Sequence, residues 1–220
     1  MDDGLSPKAF EASRGTGDWR VLGEGACTYV HTGSFEVGVR LVAAIGALTP
    51  GDADRTPDID LRRDAVVVRL ITVTDDWYGP SRRDLELARR ISGVISELGL
   101  TADPSRVQTV QLTIDSLVIP QVLPFWRAVL GYVDREDSPE DLVDALGRGP
   151  SVWFQEMTEP RPGRHRIHVD VWVPVDQAEA RVAAALAAGG HLVSSAHAPG
   201  WWTLGDAEGN EVDVATWQDH

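Results

Sequence analysis

The chain has 220 residues, room for one large domain or two small ones, and with 43% hydrophobic and 25% charged residues it has a globular composition, neither disordered nor collagen-like. No run approaches the ~20 apolar residues of a membrane helix, the acidic start Met1-Asp2-Asp3-Gly4 has no signal-peptide core, and the single Cys27 excludes an internal disulfide framework or a Cys-rich zinc site. A net charge of −14 repels phosphate, which argues against nucleic acid and anionic membranes as partners and leaves a cytoplasmic protein as the expectation.

Residues 1–18, rich in Gly, Ser and Asp, read as a loose lead-in. Strands are expected at Trp19–Leu22 and Ala26–Val30. Ser34 stands where a helix N-cap would, and Phe35, Val39, Val42, Ala43 and Ile45 follow at steps of three and four, so a helix should run to just before Pro50. Asp64 to Val73 is β-branched and has no breaker, the pattern of one long strand. After the turn at Tyr78-Gly79-Pro80, Ser81 can cap a second helix with the apolar stripe Leu85, Ala88, Ile91, Ile95 and Leu98. Two amphipathic helices on one face of a small antiparallel sheet satisfy this order. Gly99 suits a helix end, and Asp103-Pro104 then marks the expected boundary between a domain of residues 1–103 and one of 104–220. Their net charges are −5 and −9, so neither hides a cationic surface. Lys8 is the only lysine, the other basic residues being arginine, as a GC-rich genome would encode.

Trp19, the helix from Phe35, Pro57-Asp58-Ile59-Asp60-Leu61-Arg62, Arg69-Leu70-Ile71-Thr72 and Ser81-Arg82-Arg83-Asp84-Leu85-Glu86-Leu87-Ala88 follow one another in an order that resembles pterin-4a-carbinolamine dehydratase, a family that dehydrates a 4a-hydroxytetrahydropterin with histidines as acid and base. The resemblance implies a His-His-Pro motif and a histidine at the end of the following strand. Here those positions read Arg55-Thr56-Pro57 and Thr72-Val73. Arginine stays protonated, and threonine and valine cannot exchange a proton near neutral pH. The degenerate site Arg55, Thr56, Pro57, Asp58 and Val73 therefore points to a scaffold, dimerisation or binding module, with Arg55, Asp58 and Trp77 as candidates for holding a flat heterocycle.

The second half repeats itself. Strand Thr109–Ile114, helix Pro120–Leu130 closed by Gly131 and strand Ser151–Met157 are followed by strand His165–Val173, helix Gln177–Ala188 closed by Gly189-Gly190, and strands His191–Ser195, Gly200–Leu204 and Glu211–Trp217. Overlaying Thr109-Val110-Gln111-Leu112 on Arg166-Ile167-His168-Val169 brings the helices into register, so a duplicated β-α-β-β-β unit is expected, its paired sheets forming a curved mixed sheet around a cleft. The whole chain is thus read as α+β.

Phe125-Trp126-Arg127-Ala128-Val129-Leu130-Gly131-Tyr132, Trp153-Phe154-Gln155, Arg166-Ile167-His168-Val169-Asp170 and Asp206-Ala207-Glu208-Gly209-Asn210-Glu211 resemble the glyoxalase/bleomycin-resistance/dioxygenase domains of the vicinal oxygen chelate superfamily, most closely their glyoxalase-like branch. The resemblance implies a cleft for a divalent metal or a small ligand, with metal ligands on the first and last strand of each repeat. Those positions fall on Gln111, Gln155, His168 and Asp213, where the family pattern is His or Gln, Glu, His, Glu. Gln155 replaces a carboxylate with a neutral amide that serves a hard ion less well, which leaves Gln111, His168 and Asp213 as the metal set. His168 can equally be a strand histidine hydrogen-bonded to Asp213 or Gln155.

Tryptophans point to a ligand without metal. Trp153, Trp172, Trp201, Trp202 and Trp217 all lie on expected strands, and Trp201 and Trp202 must face opposite sides of theirs. An aromatic cleft with a few polar anchors suits a small organic molecule, with Trp153, Gln155, His168, Trp172, Trp201, Trp202 and Asp213 as its lining. The first reading is therefore a small-molecule-binding protein that works as a possible homo-oligomer such as a dimer. The alternative is a metal-dependent lyase, isomerase or dioxygenase in the same cleft, and the third is residual pterin dehydration in the first half.

Overall fold

The computed structural model describes residues 3–23, 25–49, 56–160 and 169–216. Arg55, His168 and Trp217 lie outside the described residues, as does the first part of the strand expected from His165. The chain divides into two compact units, Met1–Thr109 and Val110–His220. No helix among the described residues is long and apolar enough to cross a membrane.

The first unit contains α1 (Pro7–Glu11), β1 (Arg20–Leu22), β2 (Gly25–His31), α2 (Phe35–Gly46), β3 (Asp58–Leu61), β4 (Ala65–Leu70), β5 (Thr72–Thr74), β6 (Trp77–Gly79), α3 (Arg82–Glu97) and β7 (Thr101–Ala102). Its antiparallel sheet has the order β1-β2-β4-β3, with β7 added to β2, and β5 and β6 form a separate hairpin. Val30, Val66 and Val68 of the sheet bury against Leu41 and Ile45 of α2 and Ile91 of α3.

Four expectations change here. The lead-in is not loose: Ser6 caps α1, which buries Phe10, and the Thr16 hydroxyl donates to the Ser13 carbonyl at 2.8 Å. The apolar stripe of α2 is rotated, so that Phe35 and Val39 are exposed and Gly38, Leu41 and Ile45 are buried. Gly38 explains this. A Cβ there would stand 2.5 Å from Leu61 Cδ1, so the missing side chain lets the helix lie close on the sheet, and a hydrophobicity pattern does not register glycine. The long strand breaks at Ile71, because Thr72 turns away to pair with Gly79 and to donate its hydroxyl to Asp84 at 2.8 Å. Leu98 is exposed and Leu87 is buried in its place on α3.

Ser81 and Asp84 form a reciprocal capping box at the start of α3. Around Asp103-Pro104 the chain is fixed onto β2. The Asp103 N–H donates to the Tyr29 carbonyl at 2.8 Å, and the Arg106 guanidinium sits 5.4 Å from the Tyr29 ring centroid. These contacts carry the first unit past residue 103.

The second unit is built twice from one plan. β8 (Gln111–Ser116), α4 (Ile119–Leu130), β9 (Val133–Arg135), β10 (Ser138–Val143) and β11 (Ser151–Glu156) form a sheet of order β8-β11-β10-β9. β12 (Val169–Trp172), α5 (Val175–Ala187), β13 (His191–His197), β14 (Trp201–Gly205) and β15 (Glu211–Ala215) form one of order β12-β15-β14-β13. In each module the first and last strands are parallel and the others antiparallel, which the helical crossover between first and second strands permits. The fold class is thus α+β with mixed sheets, as expected. One core joins both modules: Phe125, Trp126 and Val129 of α4 pack with Val182 and Ala185 of α5, Phe154 of β11 and Val214 of β15. Gly131 ends α4 at φ 70°, a left-handed conformation that glycine adopts without strain.

Candidate functional site

Strand alternation sorts the second unit's side chains. On β15, Val212 and Val214 enter the core, so Glu211 and Asp213 face the other way. On β14, Trp202 packs against the core, whereas Trp201 and Thr203 share the face of Asp213. Register then sets rows across the sheet. Asp170, Asp213 and Thr203 are direct neighbours in one, and Trp172, Ala215 and Trp201 in the next.

A cavity of about 350 Å³ opens on this face, lined by Val193, Ser194, His197, Trp201, Thr203, Glu211 and Asp213. It is within the size range of small-molecule sites. The His197 imidazole stacks on the Trp201 indole with ring centroids 4.1 Å apart and planes 13° apart. Thr203, 9% exposed, is a buried member of the cavity lining. The cavity thus combines an aromatic wall, a hydroxyl and two carboxylates.

Of the residues expected from sequence, Trp201 and Asp213 line this cavity, and Trp202 lies on the core side of the same strand. Trp172 is exposed, in the row of Trp201. Gln111, Trp153 and Gln155 belong to the other sheet and are exposed on the face opposite Val152 and Phe154. Among the described residues no group of three or more His, Cys, Asp or Glu side chains is placed to hold a metal ion. Gln111 and Asp213 stand on different sheets of the second unit, and the third expected ligand, His168, lies outside the described residues. Glu211, Thr203, Ser194 and His197 escaped the sequence reading. Glu211 was within reach of it, two residues before Asp213 on one strand; the others enter through strand pairing.

The turn Asp206–Asn210, which carries part of the family resemblance, supports the site without lining it. The fully buried Asp206 carboxylate accepts from Trp126 Nε1 at 2.9 Å, from the N–H groups of Glu208 and Asn210, both at 2.9 Å, and from Asn210 Nδ2 at 2.8 Å. Glu208 accepts from the N–H groups of Leu117 and Val118 and from the Ser116 hydroxyl, and so closes the start of α4, whose N-cap Val118 has no side-chain acceptor. Burial pushes the Glu208 carboxyl up, but the three donors outweigh it and hold its pKa below the ordinary value of 4.5.

In the first unit, a second cavity of about 350 Å³ lies between β5 and α3, lined by Val73 together with Thr72, Asp84, Arg83 and Arg90. Asp58 is elsewhere, paired with Arg69 at 2.6 Å on the sheet. Thr56 is exposed and Pro57 buried. Trp77 is packed so closely on Gly4 and Gly79 that a Cβ at Gly4 would meet its ring at 2.8 Å. The exposed His31 lies 3.7 Å from Asp103.

The model of the glyoxalase-like domain family matches residues 111–215. Among solved structures, a glyoxalase-related enzyme from Fulvimarina pelagi is 20% identical, with 50% of this chain and 87% of that one covered and a TM-score of 0.37. A glyoxalase/bleomycin resistance protein/dioxygenase family enzyme from Burkholderia phytofirmans PsJN is 19% identical over 48% of this chain and 95% of that one, with a TM-score of 0.40. The fosfomycin resistance protein FosX from Listeria monocytogenes, complexed with Mn(II) and sulfate, is 12% identical over 51% and 90%, with a TM-score of 0.38. No curated protein matches the chain. The C-terminal unit is therefore similar, over residues 111–215, to a glyoxalase-like domain.

Proposed function

We propose that the C-terminal unit binds a small organic molecule in the cavity between β13, β14 and β15, and that the N-terminal unit is a scaffold or accessory binding module. The observation that carries this reading is the stacked His197–Trp201 pair beside Thr203, Asp213 and Glu211 in a cavity of about 350 Å³. An aromatic wall supplies apolar contact area and a few polar groups fix orientation, which is how small ligands are held. The match to a glyoxalase-like domain supports the same reading.

Calorimetric screening of small aromatic compounds against the full chain and Trp201→Leu tests it. Compounds that bind the parent should lose at least about tenfold in affinity in the variant, which corresponds to about 1.4 kcal/mol. Equal binding to both proteins would move the site elsewhere. The metal-dependent reading is separated by dialysis and metal analysis of the parent and His168→Ala: stoichiometric metal lost in the variant supports it, and a metal-free parent that still binds its compounds supports the ligand-binding reading. For the N-terminal unit, the cavity beside Val73 is the place where a heterocycle would lie, and Val73→Trp should block any binding retained by Trp201→Leu.

A further inference from the structure

We infer that the outer face of α2 is a docking surface for a second copy of this chain, which lays its own α2 antiparallel across it. Helix α2 carries two apolar stripes. Gly38, Leu41 and Ile45 enter the core, whereas Phe35 and Val39, 54% and 46% exposed, stand in solvent with the exposed Ala43 and the half-buried Val42 beside them. Positions 35, 39 and 42 recur at steps of four and three, the spacing of a seam between two helices. Single apolar residues on a surface are ordinary, but a contiguous row on one helix face marks a place of contact. The other long helix of this unit shows how the same chain solvates a helix: α3 turns Arg82, Arg83, Glu86, Arg89 and Arg90 outward. On α2 the only charged residues are Glu36 and Arg40.

Those two charges select the occupant. Both are exposed, and among the described residues neither takes part in an ion pair or a side-chain hydrogen bond. They stand one turn apart, about 6 Å along the axis, on the same flank of the apolar row. Turning α2 over about a two-fold axis level with Gly38 sets Glu36 of one copy opposite Arg40 of the other, twice over. The same operation brings Phe35 level with the gap between Val39 and Val42 of the facing helix. A parallel arrangement would instead set Glu36 on Glu36 and Arg40 on Arg40. A partner of one charge sign would match one of the two residues and oppose the other. The row is short, so the contact belongs to the small, transient class of interface, below about 1,200 Å² in total.

The test is sedimentation velocity of the full chain from about 5 to about 500 µM at neutral pH in about 0.15 M salt, where a Debye length of ~8 Å screens the net charge of the two copies. The expected result is a concentration-dependent step of self-association in the micromolar range, weakened at least about tenfold by Val39→Glu and by Phe35→Ser. Glu36→Arg and Arg40→Glu should each weaken it at least about fivefold by setting like charges opposite one another, and the double variant carrying both should return to within about threefold of the parent. Loss of stability or of apolar surface cannot produce that recovery. All four side chains are exposed, so melting temperatures should be unchanged, and Phe35→Ser carries the test if Val39→Glu does not fold. A parent that stays monomeric over the whole range overturns the assignment and leaves this face to a partner of another kind. Self-association that survives both apolar substitutions also overturns it, and a double variant no tighter than the single reversals overturns the antiparallel pairing.

Discussion

Asp144, between β10 and β11, and Asp206, between β14 and β15, hold the same place in the two modules of the C-terminal unit. Each closes its turn by accepting backbone N–H groups two and four residues ahead: Leu146 and Arg148 for Asp144, Glu208 and Asn210 for Asp206. Their surroundings differ. Asp144 has a side chain only 9% exposed, but its partner Arg148 is 73% exposed and residues 145–149 of its turn are exposed, so water can reach the donors if the carboxylate is removed. Asp206 is fully buried and also holds the indole N–H of Trp126, so the turn of the second module is tied to the helix of the first. The same local device is a surface loop in one copy and a core junction in the other, and the cavity lies on the module with the buried junction.

Substitutions should separate the two copies. Asp206→Ala has the largest expected effect, about 3 kcal/mol or more by urea unfolding, because several buried donors lose their acceptor at once. Asp144→Ala should cost less, about 1 kcal/mol, since water reaches its donors; equal losses at the two positions would erase the distinction. Glu208→Ala, which removes the acceptor at the start of α4, should also cost about 1 kcal/mol.

Glu208 sharpens the comparison through pH. Its folded pKa lies below the ordinary value of 4.5, so its contribution is complete above that value and is lost as pH falls through the lower folded pKa. Glu208→Gln should therefore flatten the acid side of the stability profile below pH 4.5. The smallest effect is expected on the outer face of the first module. Gln155→Ala should change stability by less than about 0.5 kcal/mol, because this side chain is exposed on that face. A larger loss would show that this face is as closely packed as that of its counterpart.

The duplication was legible in the sequence because each copy carries its own punctuation, a helix ended by Gly131 in one and by Gly189 in the other. The opposite orientation of Trp201 and Trp202 was legible as well, since neighbours on a strand point to opposite faces. On α2 the same kind of reasoning misplaced Phe35 and Val39, because the close approach at Gly38, where a helix meets a sheet, leaves no mark in a hydrophobicity pattern. The His197–Trp201 stack was not legible. The two residues are partners across the β13–β14 pairing, and that pairing contains register shifts between Leu192 and His197.

Local chemistry along the chain was enough to settle which segments become helices and strands over most of the second unit and that its plan is repeated. Those properties depend on residues within a few positions of one another. Tertiary structure alone decided that Asp206 would be buried against Trp126, that Asp170, Asp213 and Thr203 would share one row, and that an aromatic pair and two carboxylates would line one cavity. Strand register and helix docking bring together groups far apart in the chain, and they are selected by the packing of the whole core rather than by any short stretch of sequence.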